Sequence, residues 1–265
     1  TNALEVVDKV LHDVDITLVG IGAANVATLR LLLAAGADPA RVVACDRGGT
    51  LHAGRADLER RQDAYPDKWR ICRTTNARGV SGGVAAALAK SDVCLAFSEP
   101  GPDTIRPEWI AAMASDPVVF ACANPVPEIW PATAAQAGAR VVGTGRSDFP
   151  NQVNNSLAFP CIFRGVLDVR ARSITDEMAL AAAEVLARFA AERGIEYGLL
   201  PTMTEWEVVP RVAAATALTA QRQGVAALDT PENELVRDAR RTISEARRAT
   251  EVLMDAQIIP PPPTA

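Results

Sequence analysis

The chain is short of several things that would place it in a class at once. Only two histidines occur in 265 residues, His12 and His52, and the lysines are Lys9, Lys68 and Lys90 among 27 basic side chains. Neither histidine lies on a loop that faces a ligand in the reading below, so a dehydrogenase mechanism built on a histidine base has no candidate. Positive charge is not in excess. The formal net charge is −5, which recommends no nucleic-acid partner. No run of 18 apolar residues and no basic-then-apolar leader is present, so neither a membrane span nor secretion is expected, and a cytoplasmic location is. The cysteines Cys45, Cys72, Cys94, Cys122 and Cys161 are odd in number, widely spaced and set in apolar runs. That pattern reads as buried free thiols, not as a disulfide frame or a zinc site. Internal repeats are absent, and only Pro260 to Pro263 is of low complexity.

What is present is a core-forming composition, 49% hydrophobic, long enough for one large α/β domain with a tail. Ile16 to Val19 is a compact β-prone run ending on Gly20, and Ala24 to Ala35 follows as a helix closed by Gly36. Further strands are expected at Arg41 to Cys45, Val93 to Phe97, Val118 to Cys122 and Arg140 to Val142. Helical stretches lie between them, around Val84 to Lys90, Pro107 to Met113 and Pro131 to Gln136. Such alternation predicts a parallel sheet covered on both faces. The second half is helical instead, over Thr175 to Arg193, Val208 to Gln223 and Pro231 to Ala256. These helices are expected to pack against the sheet, giving a domain over 1–228 and a C-terminal helix with a proline-rich tail over 229–265.

Gly20-Ile21-Gly22-Ala23-Ala24-Asn25 sits at the first strand-to-helix turn, where the dinucleotide fingerprint belongs. Gly20 permits a tight turn, Gly22 lets the backbone approach a pyrophosphate, and the helix N-terminus offers unpaired N–H groups and partial positive charge. Asp46 ends the second strand about where a ribose-binding carboxylate should fall. Together they predict a Rossmann-type, doubly wound, mostly parallel sheet with additional C-terminal helices. Asn25 stands where a small residue is usual, and its amide can cap the helix or face the cofactor. Asp46 favours the free 2′-hydroxyl of NAD, whereas the adjacent Arg47 can hold the 2′-phosphate of NADP or be a solvated turn residue. NAD is the expectation, with NADP open.

Polar loops follow three of the expected strands and so lie on the carboxyl edge, where open α/β sheets bind ligands. They run from Ser98 and Glu99 to Gly101, from Asn124 to Glu128, and from Gly143 to Asn155. Asparagines there can hydrogen-bond a carboxylate, hydroxyl or carboxamide without adding charge. Asn124 before Pro125 can equally be a turn former, and Asn154 and Asn155 can be helix caps.

The strings ANPVPEIWP, Ala123 to Pro131, and GRSDFPNQVNNSLAFPCIFRG, Gly145 to Gly165, closely resemble segments of the small bacterial malic enzymes. The resemblance extends more loosely through the glycine turn, CDRGG, SEPG and VVPRVAAATA, roughly from Asn2 to Ala226. It implies that Gly20, Gly22, Ala23, Ala24, Asn25, Asp46 and Arg47 hold the dinucleotide with Ser98 and Glu99. It further implies that Asn124 and Asn155 contact malate, with Asn154 beside them and Asn124 and Asn154 also near the cofactor. The chain departs from the family's usual residues at Asn25, at Arg47-Gly48 and at Cys161.

The family oxidises malate with NAD or NADP and decarboxylates the product to pyruvate, using a tyrosine, a lysine and carboxylates that bind Mg²⁺ or Mn²⁺. The resemblance places those groups in a segment before the first Rossmann strand, which this chain starts too late to contain. No catalytic or metal residue is therefore nominated here. Tyr65, Tyr197 and the three lysines fall in no matching motif, and Asp148 and Glu128 are expected to be structural. The expectation is a cofactor-binding domain that binds nucleotide but turns over no malate alone, partnered by an N-terminal catalytic domain within a homo-oligomer. The alternative is a non-catalytic nucleotide-binding or regulatory module derived from such an enzyme.

Overall fold

In the computed structural model, residues 1–262 are described, so Pro263 of the expected proline run lies outside the described residues. The chain divides into two compact units, one of Thr1–Asn154 with Ala187–Leu200 and one of Asn155–Leu186 with Pro201–Ala265. The boundary expected at 228/229 does not coincide with this division.

The first unit is built on six strands: β1 Ile16–Val19, β2 Val42–Asp46, β3 Gly49–Thr50, β4 Val93–Ala96, β5 Val118–Ala121 and β6 Val141–Thr144. They lie in the order β3-β2-β1-β4-β5-β6, parallel except for the β2–β3 pair. Period-2 alternation of β-branched and small residues explains how each strand serves two cores. Ile16, Leu18, Val42, Val93, Val118 and Val141 enter one core with Leu29 of the helix Ala23–Ala34. Val19, Cys94, Ala96, Val119 and Ala121 enter the other with Leu88, Ile110 and Ala134.

Register then fixes the ligand edge. Val19 pairs with both Cys45 and Ala96, Ala96 with Ala121, and Ala121 with Thr144, so the parallel strands end at one level. The chain runs outward from β1 in both directions, making a topological switch point between β1 and β4. Helices starting on proline at the first helical position, Pro66–Thr74, Pro107–Ala111 and Pro131–Gln136, use a residue whose missing N–H costs nothing there. Gly36, at φ +100°, ends the helix after β1, as expected from the sequence.

The second unit is helical. Phe159–Asp168, Val208–Arg222 and Glu232–Asp255 pack together around Val166, Met178, Ala217 and Leu235. Small residues set the close approach: a Cβ at Gly165 would overlap the carbonyl of Ala213. The sequence reading placed these helices on the sheet within one domain, whereas the contacts group most of them into a compact unit of their own. These helices share an apolar core of their own, to which Leu235 of the last one belongs.

Candidate functional site

A cleft of about 570 Å³ opens at the carboxyl edge where β1, β2 and β4 end. Its lining includes Gly20, Gly22, Asp46, Arg47, Ser98 and Glu99, all nominated by the sequence, and Lys68, which was not.

The glycine turn has two distinct geometries. Gly20 has φ +85°, and a Cβ there would come 2.7 Å from both the Phe97 carbonyl oxygen and Ser98 Cβ. Glycine is therefore required by the fold itself, because the β1 turn rests against the start of the β4 loop. Gly22, at φ −99°, would place a Cβ with nothing within 4 Å. That open space beside the N-terminus of the helix Ala23–Ala34 is the shape a pyrophosphate requires, so a dinucleotide fits these residues. Ala23 and Ala24 are exposed in the first turn of that helix.

Asn25 does not reach the cleft. It is fully buried, and its Nδ2 donates to the carbonyls of Val19 at 2.9 Å and Gly20 at 2.7 Å. The side chain that departs from the fingerprint thus fastens the turn to the helix from beneath, instead of capping the helix or facing a ligand.

Asp46 lies inside an ion cluster. Its Oδ1 accepts from the Gly48 N–H at 2.9 Å and from Arg55 at 3.1 Å, and its Oδ2 accepts from Lys68 Nζ at 2.9 Å. The Gly48 bond closes the turn between β2 and β3, an ordinary use of aspartate. Burial opposes ionisation of this carboxyl, yet the Lys68, Arg55 and Gly48 hydrogen bonds outweigh it and hold the group below its usual range. Arg55 is also clamped by Asp57 through two bonds, at 2.7 and 2.8 Å. Arg47, by contrast, extends into solvent, its 3.4 Å pair with Glu99 being almost fully exposed and weak.

The β5 and β6 loops lie side by side. Asn124 is exposed, joined to Pro125 by a cis peptide bond, and its Nδ2 would lie 3.0 Å from a Cβ at Gly145. Arg146 donates to the Pro125 carbonyl at 2.8 Å and pairs with Asp148, while its guanidinium sits near the Trp130 and Phe149 rings. Asn154 is the last residue of the first unit, and Asn155 opens the second in a short turn through Leu157.

Burial pushes the thiols of Cys45 and Cys122 up to about 12, with Asp46 and Glu128 adding to the respective shifts. Among the described residues no group of three or more His, Cys, Asp or Glu side chains is placed to hold a metal ion. No helix of the described residues is long and apolar enough to cross a membrane.

Comparison with known proteins agrees with this geometry. A family model described as "Malic enzyme, NAD binding domain" matches residues 1–221. The NAD-dependent malic enzyme of Geobacillus stearothermophilus is 42% identical over 231 residues, covering 86% of this chain and 46% of that protein. The NADP-dependent malic enzyme of Halomonas elongata is 40% identical over 242 residues, 85% of this chain and 54% of that one. A crystal structure of the Entamoeba histolytica malic enzyme superposes with a TM-score of 0.94 at 44% identity, over 99% of this chain and 54% of the other. The chain spans about half the length of the curated relatives it matches.

Proposed function

This chain belongs to the malic enzyme family, whose NAD-binding domain it carries, and on that premise we propose that it is the cofactor-holding part of an enzyme that oxidatively decarboxylates malate to pyruvate. The observation that carries this reading is the empty approach at Gly22 beside a helix N-terminus, between the Gly20 turn and the Ser98 loop. In that place the backbone N–H groups bind the pyrophosphate, and Asp46, Arg47 and Lys68 surround the adenosine ribose.

The bound nicotinamide supplies the hydride acceptor. The chain's own contribution is to orient that ring and one side of the substrate, with Asn124 as a hydrogen-bonding partner of the malate carboxylate or hydroxyl. Proton transfer is assigned to groups outside these residues. Two placements support that division. Lys9 is engaged by Asp92 at 2.7 Å, where the Asp15 N–H also bonds Asp92 before β1 begins, and so lies at the opposite edge of the sheet. Lys68 is engaged by Asp46. No step is assigned to a divalent metal.

An N-terminal catalytic domain and a homo-oligomer complete the proposal. The exposed apolar side chains of Phe159, Phe163 and Leu167, spaced by four along one helix, support a partner surface on the second unit. The test is calorimetric titration of the 265-residue chain with NAD and NADP, with a parallel assay for malate oxidation. Dinucleotide binding without turnover is expected. No binding would overturn the cofactor assignment, and turnover would overturn the division of labour.

A further inference from the structure

Glu128 is the buried acid of this edge, and its surroundings are unusual for a charged side chain. It has no exposed surface, and among the described residues no cation pairs with it. Its Oε1 accepts from the Ser98 N–H at 2.7 Å and the Ser98 hydroxyl at 3.0 Å, and its Oε2 accepts from the Ala123 N–H at 3.0 Å. Ser98 opens the loop after β4, and Ala123 precedes Asn124 in the loop after β5. One carboxylate thus ties the two adjacent strand ends beside the switch point.

All three partners are donors, so only a side chain that accepts at both ends satisfies them, which glutamine cannot do. Taking a carboxylate out of water is costly unless hydrogen bonds compensate, so its retention here marks a constraint on geometry. The constraint reaches further on both sides. Ser98 Cβ is what a side chain at Gly20 would strike, so Ser98 also sets the floor of the glycine turn. Ala123 sets the start of the segment that presents Asn124.

We propose that Glu128 is a positioning residue of the dinucleotide site: by clasping the β4 and β5 loops it sets where Asn124 stands relative to the Gly20 turn, and hence where the nicotinamide end of the cofactor is held. This rests on the dinucleotide reading above. In Glu128→Gln the amide oxygen stays with the two Ser98 donors, the new NH₂ opposes the Ala123 N–H, and the β5 loop is released.

The experiment compares wild type and Glu128→Gln for binding of NADH, followed by nicotinamide fluorescence, and of ADP-ribose, which lacks the nicotinamide. NADH is expected to weaken by about tenfold or more while ADP-ribose weakens by less than about threefold, the scale of one lost charge-assisted hydrogen bond. Emission of bound NADH should shift toward that of free NADH, and amide exchange should accelerate at Ala123 but not at Leu18. Equal losses for both ligands, or no loss, would overturn the proposal. Should the Gln variant not fold, Ser98→Ala removes one of the three bonds, and unchanged NADH affinity there would overturn it too. A wild-type chain that bound no NADH would sink the dinucleotide reading, whereas the exchange at Ala123 would still report on the clasp.

Discussion

Lys68 Nζ lies 2.9 Å from Asp46 Oδ2, so the carboxylate that would select NAD is already paired with a cation. Arg55 engages the other oxygen at 3.1 Å, and all three side chains are largely buried. A lone carboxylate at this strand end repels a 2′-phosphate, but one flanked by two cations does so far less. Both NAD- and NADP-dependent enzymes occur among the relatives. In this chain Lys68 is the cation that lines the cleft beside Asp46 and Arg47.

Replacing that lysine separates the two cofactors. Lys68→Ala is expected to cost about tenfold in NADP affinity and less than about threefold in NAD affinity, read by calorimetric titration. Equal losses would show that Lys68 serves the fold alone.

The same cluster sets an acid limit. The Asp46 carboxyl is held below its ordinary value in the folded chain, so its pairing stabilises above the unfolded value of about 3.9 and is lost as pH falls through the folded one. Wild type should therefore exceed Asp46→Asn in urea resistance at neutral pH, and the gap should close below about pH 4. A gap independent of pH would contradict this.

Asn25 is expected to matter through the turn. Asn25→Ala leaves the Val19 and Gly20 carbonyls without their buried donor and should cost about 1–3 kcal/mol in urea unfolding. A change within about 0.5 kcal/mol, the usual range of a surface substitution, would contradict the role.

Much of this was legible in the sequence because local pattern and tertiary role agree. The strands after Ile16, Val42, Val93, Val118 and Val141 are short β-branched or small-residue runs buried on both faces, and the glycine turn falls where its chemistry demands. Other features were illegible for identifiable reasons. Lys68 meets Asp46 across 22 positions, a pairing between separate elements that no local pattern announces. Glu128 was read as structural, and its clasp was not legible because Ser98, which gives two of its three donors, lies 30 positions away on another loop. β3 has two residues, too few to show a period, and is made by the Asp46–Gly49 turn.

Gly22→Ala tests the central claim most directly. The position has an ordinary φ and open space around the new methyl group, so the thermal midpoint should stay within about 2 °C of wild type. NADH affinity should nevertheless fall by about tenfold or more, because the methyl occupies the pyrophosphate's approach. Unchanged NADH binding by a folded Gly22→Ala chain would show that the cofactor does not lie at this turn.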